Sequence, residues 1–440
     1  MERKQDIGDE MVTQVLRADE AVDMSKKAVF STVLGNTLEW FDFASYAFFA
    51  TIISRKFFPL GDSSISLIGA FAVFGIGLIA RPLGAVFFGR FGDVKGRKLA
   101  LMIAIPMMGV GTIMIGVMPT YAQIGIAAPL LLVACRLMQG FSAGGEVGNA
   151  IAFLVEWSPP NRRAFYGSLH QASAVGGTLI GSGIAALLST VMNHDLLESW
   201  GWRVPFLLGG LIIAPLGFYL RSQVEETPYF EEEHLHLSKS GPACEKAVWL
   251  LCLQTVGMTM LWVTSFYIFL IYLPSFLALH GHLHGAPALW INTAGLLMMC
   301  ISILVSAALS DRIGRKPLLV VASVCLLLFS YPLFLLLVTT SSVLLIFLAI
   351  IVTGALTGVF AGICPAAMAE MFPTRMRTTG MSIGFGIATA VFGGFGSLIS
   401  ESLIKLTGSQ IAPSYYVICT AIVSLVSILA MKETAHQPLR

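Results

Sequence analysis

G-R-F-G-D-V-K-G-R-K, residues Gly89–Lys98, joins two apolar runs that are each long enough to cross a bilayer. A second stretch, Leu309–Lys316, reads L-S-D-R-I-G-R-K and joins two later apolar runs in the same way. The two stretches share four residues in the same order, namely Asp93, Gly96, Arg97 and Lys98 in the first and Asp311, Gly314, Arg315 and Lys316 in the second. A repeat at matching places predicts two related bundles of helices, with the substrate near the midplane between them.

The composition is that of a polytopic membrane protein. Of the 440 residues, 56% are hydrophobic and only 12% are charged, whereas a soluble domain has about a quarter charged residues. The net charge is only +2, and the basic residues are spread over many short loops, so no nucleic-acid partner is expected. We predict an all-α protein with twelve transmembrane helices in two six-helix bundles. The predicted spans are Ala28–Ile53, Ser66–Phe88, Leu99–Met118, Ile124–Ala150, Tyr166–Val191, Val204–Leu220, Val248–Leu277, Ala288–Leu309, Leu318–Val338, Val343–Ala369, Gly380–Ser400 and Tyr415–Met431.

Basic residues predict the orientation. Of the 27 Lys and Arg residues, 21 fall on the side of the amino terminus and four on the opposite side. The positive-inside rule therefore puts both termini in the cytoplasm, with the chain in the cell inner membrane. The longest hydrophilic interruption, Ser222–Lys246, divides the chain. The predicted parts are a cytoplasmic tail (1–27), an N-terminal six-helix half (28–221), a cytoplasmic linker (222–247), a C-terminal six-helix half (248–431) and a second cytoplasmic tail (432–440).

Two acids lie inside the first predicted span. Glu39 and Asp42, in the stretch Gly35–Tyr46, are three residues apart and share a helix face near the bilayer midplane. An ionisable group at that depth costs about 3 kcal/mol on insertion scales, so it faces a partner or a water-filled cavity. A structural ion pair, a neutral carboxyl and a proton carrier all fit this position, and the rest of the chain favours the proton carrier.

Two arginines also lie inside predicted spans. Arg136 is about twelve residues into the fourth span, at roughly the depth of Glu39. It is expected to pair with a first-span acid or to hold a carboxylate of the substrate. Arg81 lies toward the inner end of the second span, where we expect its side chain to reach the membrane interface or to brace the adjoining loop.

Other polar residues are weaker candidates for the cavity. Glu146 and Asn149 approach the inner side of the fourth span, where Glu146 is an alternative coupling acid, and Asn36 is a hydrogen-bonding candidate. His170 is expected to be a hydrogen-bonded core histidine. Glu401, near the outer end of the eleventh span, is expected to be solvated.

Several motifs are expected to be absent or structural. The run H-G-H-L-H at His280–His284 has no accompanying carboxylate or cysteine, so no metal site is expected, and no cofactor other than a coupling proton. No G-x-x-x-x-G-K-[ST] occurs, which argues against an ATP-driven pump. We also expect no enzyme constellation of the H-E-x-x-H or G-x-S-x-G kind. The glycine pairs Gly177/Gly181 and Gly380/Gly384 predict close contacts between helices.

The repeated loop resembles the signature of the major facilitator superfamily, G-x-x-x-D-x-x-G-R-K between the second and third spans. Its matching positions are Gly89, Asp93, Gly96, Arg97 and Lys98. The resemblance implies a gate in which Asp93 meets the start of the eleventh span near Thr378–Gly380. Asp311 and Arg315 would belong to the same gate as the loop's counterparts in the second half, with Arg81 bracing it. Arg136 and Gln139, in R-L-M-Q-G, are similar to the family's R-x-x-Q-G element, which is associated with proton coupling.

More narrowly, the chain looks like the metabolite:proton symporters, which include the proline/betaine, α-ketoglutarate, citrate and shikimate carriers. The stretches that carry this likeness include G-N-T-L-E-W-F-D-F, Q-G-F-S-A-G-G-E, G-W-R-V-P-F and E-M-F-P-T-R-M-R. The resemblance implies a secondary active transporter that takes up a small polar metabolite with protons, either an organic acid or a zwitterion, with a slight preference for the acid.

Two rival functions remain. The first is a proton antiporter or efflux carrier of the same fold, which usually has G-P-x-x-G-G in the fifth span, whereas this chain reads S-A-V-G-G-T there. The second, more remote, is a polytopic membrane enzyme. The expected partners are a small solute, protons and the lipid bilayer, and a monomer is the expected assembly.

Overall fold

The protein is described by a computed structural model. It covers residues 33, 35–37, 39–95, 97–145, 150–151, 154–155, 158, 161–222, 245–281, 283, 285–373, 377–435 and 437. Within these residues nine helices are long and apolar enough to cross a membrane, and two shorter apolar helices cover Met102–Val117 and Ala127–Ser142. The first predicted span is helical at 33, 35–37 and 39–48 and continues as Ala50–Phe57.

The helices follow the predicted spans closely. The N-terminal half contains Ser63–Lys95, Arg97–Val117, Tyr121–Ile124, Ala127–Ser142, Arg163–Val191, His194–Ser199, Val204–Leu208 and Ala214–Ser222, with 3-10 turns at Ala143–Gly145 and Gly201–Arg203. The C-terminal half contains Glu245–Phe266, Leu273–His280, Ala286–Ile313, Lys316–Thr339, Val343–Met371, Arg377–Ile387, Gly396–Thr407 and Pro413–Ala430. Short π-helical segments at Gly209–Ile213, Tyr267–Tyr272 and Ala388–Gly394 interrupt the sixth, seventh and eleventh spans.

The signature loop differs from its prediction. The second span stays helical to Lys95 and the third begins at Arg97, so most of the expected loop is the end of a helix. Gly96 lies outside the described residues. Its counterpart Gly314 has φ of 112°, a conformation that glycine adopts without strain, and it separates the eighth and ninth spans. The expected glycine turn is therefore present in the second half.

Glycines allow several helices to cross in direct backbone contact. A Cβ on Gly140 of the fourth span would lie 1.6 Å from the carbonyl oxygen of Gly77 on the second span. A Cβ on Gly177 would lie 2.0 Å from the carbonyl oxygen of Thr37, which confirms the predicted close contact of the fifth span, here with the first. Gly384 packs against Thr255 of the seventh span in the same way. Such contacts need small residues because only they let two backbones approach.

The two halves contact each other on both sides of the membrane. We call the side of Asp311 the inner side and the side of Asp62 the outer side, following the positive-inside prediction. On the inner side, both carboxylate oxygens of Asp311 accept backbone N–H groups at the start of the fifth span, each at 3.0 Å. On the outer side, Lys405 Nζ lies 3.0 Å from Asp62 Oδ2. Between them, the hydroxyls of Ser182 and Thr293 are 2.8 Å apart.

The substitution Gly140→Ala should lower the stability of the purified protein, because the added methyl group overlaps a backbone oxygen and the helices must separate. Overpacking of this kind costs about 1–3 kcal/mol. Gly176→Ala is the matched control, since its Cβ would meet no atom within 4 Å. Thermal melting in detergent should show a loss of several degrees for Gly140→Ala only; equal melting temperatures would contradict the contact.

Candidate solute and proton site

The first buried ion pair of the site joins the first and second spans. Arg81 Nη2 donates a hydrogen bond to Glu39 Oε1, and the two side chains are only 11% and 7% exposed. The expectation that Arg81 reaches the membrane interface is therefore wrong. The physical reason is that Glu39 lies within its reach and compensates the guanidinium charge, so the side chain gains more from the buried acid than from the interface.

The second buried pair joins the first and fourth spans. Arg136 Nη1 lies 3.7 Å from Asp42 Oδ2, which fulfils the expected pairing of Arg136 with a first-span acid. Gln139 connects the two, because its Oε1 accepts from Arg136 at 2.8 Å and its Nε2 donates to Asp42 at 2.7 Å. Gln139 also donates to the hydroxyl of Thr112 on the third span at 2.9 Å. Because Arg136 and Gln139 are three residues apart on one helix, both side chains contact Asp42.

Some polar atoms of this cluster have no hydrogen-bond partner among the described residues. At the Asp42 pair they are Asp42 Oδ1, Arg136 Nε, Arg136 Nη2 and the nearby hydroxyl of Tyr267, and at the Glu39 pair Arg81 Nε, all of them buried. A buried polar group without a partner costs about 1–3 kcal/mol, so its presence in a folded protein calls for an explanation. Two guanidinium donors and a phenol are the groups that bind a carboxylate, and a free carboxylate oxygen is a group that binds a proton.

Aromatic rings surround both arginines. Phe43 lies between them, with its centroid 4.7 Å from Cζ of Arg81 and 5.0 Å from Cζ of Arg136. Tyr46 covers Arg136 at 4.1 Å, and Trp40 covers Arg81 at 5.4 Å. The electron-rich ring faces attract the guanidinium charge, and the effect is strongest where water is excluded. Sequence reasoning did not single out these rings, although Trp40 and Phe43 directly follow Glu39 and Asp42, and Tyr46 lies one helical turn after Asp42.

The site lies at the boundary between the two halves. Trp40 packs edge-on against Phe266 of the seventh span at 5.8 Å between centroids. Phe74 of the second span packs against Tyr267 of the seventh span at 6.0 Å. The charged pairs belong to the N-terminal half, and the C-terminal half closes over them with these aromatic rings. The repeat predicted a site between the two halves; its depth at the midplane stays a prediction.

Asn36 and His170 form a neighbouring polar contact. Asn36 Nδ2 donates to the His170 carbonyl oxygen at 2.9 Å and to the Ser173 hydroxyl at 2.8 Å, so it ties the first span to the fifth. His170 is buried, as expected for a core histidine. The expected hydrogen bonds of its ring are not present among the described residues, since neither ring nitrogen has a partner.

Other predicted residues lie outside this site or outside the description. Glu146 and Asn149 are not among the described residues. Gly89 lies in the helix Ser63–Lys95, and the structure describes the backbone of Asp93, Arg97 and Lys98 but not their side chains. Their roles in the gate stay predictions.

The counterpart of the gate loop in the second half is a charged cluster on the inner side. Arg315 lies 2.8 Å from Asp311 and 2.9 Å from Glu370. Burial alone would lower the pKa of Arg315, but the two carboxylates outweigh it and raise the pKa. Asp311 also binds the start of the fifth span (above), so one acid connects the gate arginine to the opposite half, as the resemblance implies for the loop acid.

The carboxyl-terminal segment joins this cluster. Glu433 accepts the backbone N–H groups of Arg315 at 3.0 Å and Lys316 at 2.9 Å, and so caps the ninth span. Thr434 donates to Glu370 at 2.7 Å. Partial burial acts to raise the pKa of Glu433, but four backbone N–H groups outweigh it, and the pKa is lowered from its ordinary value.

The substitution Glu433→Gln should lower the melting temperature at pH 7 by a few degrees, because the neutral amide binds the helix N-terminus more weakly. The pKa of Glu433 is lower in the folded state, so its contribution is full above the unfolded pKa of about 4.3 and is lost as pH falls through the folded value. The difference from the parent protein should therefore shrink below about pH 4. Asp195→Asn, an exposed first-turn acid, is the control; a difference that stays constant with pH would contradict the cap.

One motif expectation was wrong. Residues Gly140–Gly144 read G-F-S-A-G, which matches G-x-S-x-G letter by letter. The motif acts as a nucleophile only at a strained turn from strand to helix. Here Ser142 ends the helix Ala127–Ser142, is buried, and donates to the Gln139 carbonyl oxygen at 2.8 Å. Ser142 therefore does not occupy the strand-to-helix turn that a catalytic serine of this motif needs.

Comparison with known proteins identifies the family of the chain. The sequence profile of the family described as sugar (and other) transporter matches residues 28–247, and that of the major facilitator superfamily matches residues 255–439. A proline/betaine transporter of Salmonella typhimurium is 34% identical over 427 residues, which are 94% of this chain and 85% of the relative. A citrate-proton symporter of Klebsiella pneumoniae is 34% identical over 409 residues, which are 91% and 90% of the two chains.

A solved structure shows the same fold. The xylose transporter XylE from E. coli, in a partially occluded inward-open conformation, superposes with a TM-score of 0.74 over 94% of this chain and 99% of that chain, at 18% identity. The architecture is therefore twelve transmembrane helices in two six-helix bundles. The chain belongs to the major facilitator superfamily, and it is a multi-pass inner-membrane transporter, not an enzyme. The two relatives, a proline/betaine transporter and a citrate-proton symporter by name, are of the kinds that the sequence resembles.

Proposed function

We propose that this chain is a proton-coupled symporter that takes up a small organic acid, with Arg136 holding the solute carboxylate and Asp42 holding the proton. Proton-coupled symport of a small metabolite is the class of activity of its relatives. The observation that carries the finer assignment is the Asp42–Arg136 pair. It is buried, yet Asp42 Oδ1 and Arg136 Nε and Nη2 have no partner among the described residues.

Charge balance supports coupling between the two ligands. In the described part of the site two arginines face two acids, so the cluster is neutral when both acids are ionised. A solute carboxylate that enters would leave one uncompensated negative charge in a low-dielectric interior, which is costly. A proton on Asp42 restores neutrality and releases Arg136 to bind the solute. The proton and the anion therefore stabilise each other's binding.

The charge-balance argument also weighs against a zwitterionic solute. Proline and betaine add no net charge to the site, so their binding needs no proton for charge balance. A quaternary ammonium group is bound by open aromatic faces, whereas the rings of Trp40, Phe43 and Tyr46 already cover Arg81 and Arg136. An organic acid is the better fit. Protons are the only coupling species in this proposal, and no other cofactor takes part.

The deciding experiment is uptake into proteoliposomes under an inward proton gradient, with labelled citrate, α-ketoglutarate, shikimate, proline and betaine tested in parallel. One organic acid should accumulate, and a protonophore should abolish the accumulation. Accumulation of proline or betaine alone would overturn the solute class but keep the coupling. If none of the five solutes accumulated, both the solute class and the proton coupling would be overturned. Counterflow and efflux would then be measured instead.

We further propose that the chain works as a monomer with both termini in the cytoplasm. The excess of Lys and Arg on the terminal side supports this orientation. For the orientation, a reporter fused to each terminus should be protected from an impermeant reagent in intact cells. For the assembly, cross-linking in the membrane should give only the single-chain species. Labelling of either terminus from outside would contradict the orientation.

Asp42→Asn should reduce accumulation under a proton gradient at least tenfold, while solute counterflow persists. The amide still accepts from Gln139 but takes up no proton, so exchange continues without coupling. Glu39→Gln added to it should not restore accumulation. Asp62→Asn is the control, because its ion pair with Lys405 lies on the surface and is worth little. Unchanged accumulation in the Asp42→Asn protein would contradict its role.

Arg136→Lys should raise the KM for the acid at least tenfold, because a lysine keeps the charge but loses the planar pair of donors that fits a carboxylate. Arg203→Lys is a matched control. Arg203 also lies over an aromatic ring, 4.4 Å from Trp202, but on the outer side, where it donates to backbone oxygens of Gly116 and Met118. An equal KM for both variants would argue against carboxylate binding by Arg136.

A further inference from the structure

A further buried carboxylate, separate from the two acids of the site described above, lies on the outer side of the C-terminal half. Glu401, in the helix Gly396–Thr407, has a side chain that is 1% exposed. The expectation that it is solvated is wrong, because the seventh span covers it. Glu401 Oε2 accepts from the Tyr272 hydroxyl at 2.5 Å. His280 Nε2 lies 3.1 Å from Oε1 and 3.2 Å from Oε2.

The charge of Glu401 has one basic partner among the described residues, and that is His280. Lys405, one turn further along the same helix, is engaged with Asp62 at 3.0 Å. Tyr416 of the twelfth span donates to the Phe392 carbonyl oxygen. On the eighth and tenth spans, which pack against the seventh, the charged residues Asp311, Arg312 and Glu370 lie at the inner ends. His282 and His284 lie outside the described residues.

A buried carboxylate whose basic partner is a histidine is neutral overall only when the pair carries a proton. The proton resides either on the imidazole, as an ion pair, or on the carboxyl. Its loss leaves an uncompensated negative charge in the interior, which is costly. The His280 side chain is 11% exposed, which gives protons from the outer solution a route to the pair. Histidine changes its charge between about pH 5 and pH 8.

Tyr272, which donates to Glu401, lies on the contact between the two halves. The Tyr272 ring meets Phe71 of the second span edge-to-face at 5.6 Å between centroids. Tyr272 ends the π-helical segment Tyr267–Tyr272, whose first residue lies against Phe74 at the solute site. Segments of this kind occur often at functional sites in helices. A separation of the two halves on the outer side would part Phe71 from Tyr272, and Glu401 holds the Tyr272 hydroxyl.

We propose that Glu401 and His280 form a second proton-binding site, distinct from Asp42, which couples the external pH to the aromatic contact between Tyr272 and Phe71. With its proton bound, the pair is neutral and holds Tyr272 in place. Without it, the carboxylate is uncompensated and the outer end of the seventh span is loosened. The ligand of this site is a proton, and the element it controls is the outer contact of the two halves.

The first test needs no solute and is thermal melting in detergent at pH 5.5 and pH 8.5. His280→Asn should lower the melting temperature by several degrees at pH 5.5 and by clearly less at pH 8.5. In combination with Glu401→Gln this dependence on pH should disappear, since the two residues act as one unit. His194→Asn is the matched control, because His194 lies 3.9 Å from Glu198 in an exposed pair on the outer side.

A His280→Asn penalty that is the same at both pH values would overturn the proton site. If Glu401→Gln does not fold, the comparison of His280→Asn with His194→Asn decides alone. Because this test is independent of transport, its failure is distinguishable from a failure of the proposed function.

The second test concerns the gate and rests on the proposed function. In the Asp42→Asn background, solute counterflow should still change at least threefold between external pH 5.5 and 8.5, because the outer site remains. His280→Asn should remove that dependence, and so should Tyr272→Phe, which keeps the ring but loses the hydroxyl. A pH profile that persists in both variants would overturn the link between the proton site and the outer contact.

Discussion

The requirement that charge be balanced inside the bilayer organises the whole centre of this transporter. Two guanidiniums cannot remain at that depth without compensation, and each one is paired with an acid of the first span. The pairs fix the second and fourth spans against the first, and the backbone contact of Gly77 with Gly140 fixes them against each other. These contacts hold three spans of the N-terminal half together, and several buried polar atoms among them have no hydrogen-bond partner within the described residues.

The two halves contribute different chemistry to their common boundary. The N-terminal half supplies arginines, which stay charged at every physiological pH, so the balance there changes only when an acid takes a proton or a ligand enters. The C-terminal half supplies aromatic rings at the midplane and helix segments of π geometry at Tyr267–Tyr272 and Ala388–Gly394. Such segments carry an extra residue per turn, which turns side chains such as Tyr267 and Tyr272 toward the second span.

Hydropathy was sufficient to predict the spans, because each must hide its backbone from lipid over a known thickness. The depth of Glu39, Asp42 and Arg136 followed from counting residues, and one of their pairings was foreseen. Which acid each arginine takes could not be predicted, because it depends on helix rotation and crossing, and so Arg81 was assigned to the wrong place. Glu401 was misjudged for a related reason. Distance from the span end indicates depth, whereas burial there is decided by the neighbouring seventh span, whose helix reaches His280, beyond its predicted end at Leu277.

The inner and outer contacts of the halves differ in what holds them. On the inner side, Arg315, Asp311 and Glu370 form a network of one arginine and two carboxylates, and Asp311 reaches the fifth span through two backbone N–H groups. On the outer side, the surface pair of Lys405 with Asp62 is weak, and the buried acid relies on a histidine. A transporter driven by external protons gains from this asymmetry. The contact that must open toward the proton source is the one whose charge balance responds to the external pH through a histidine.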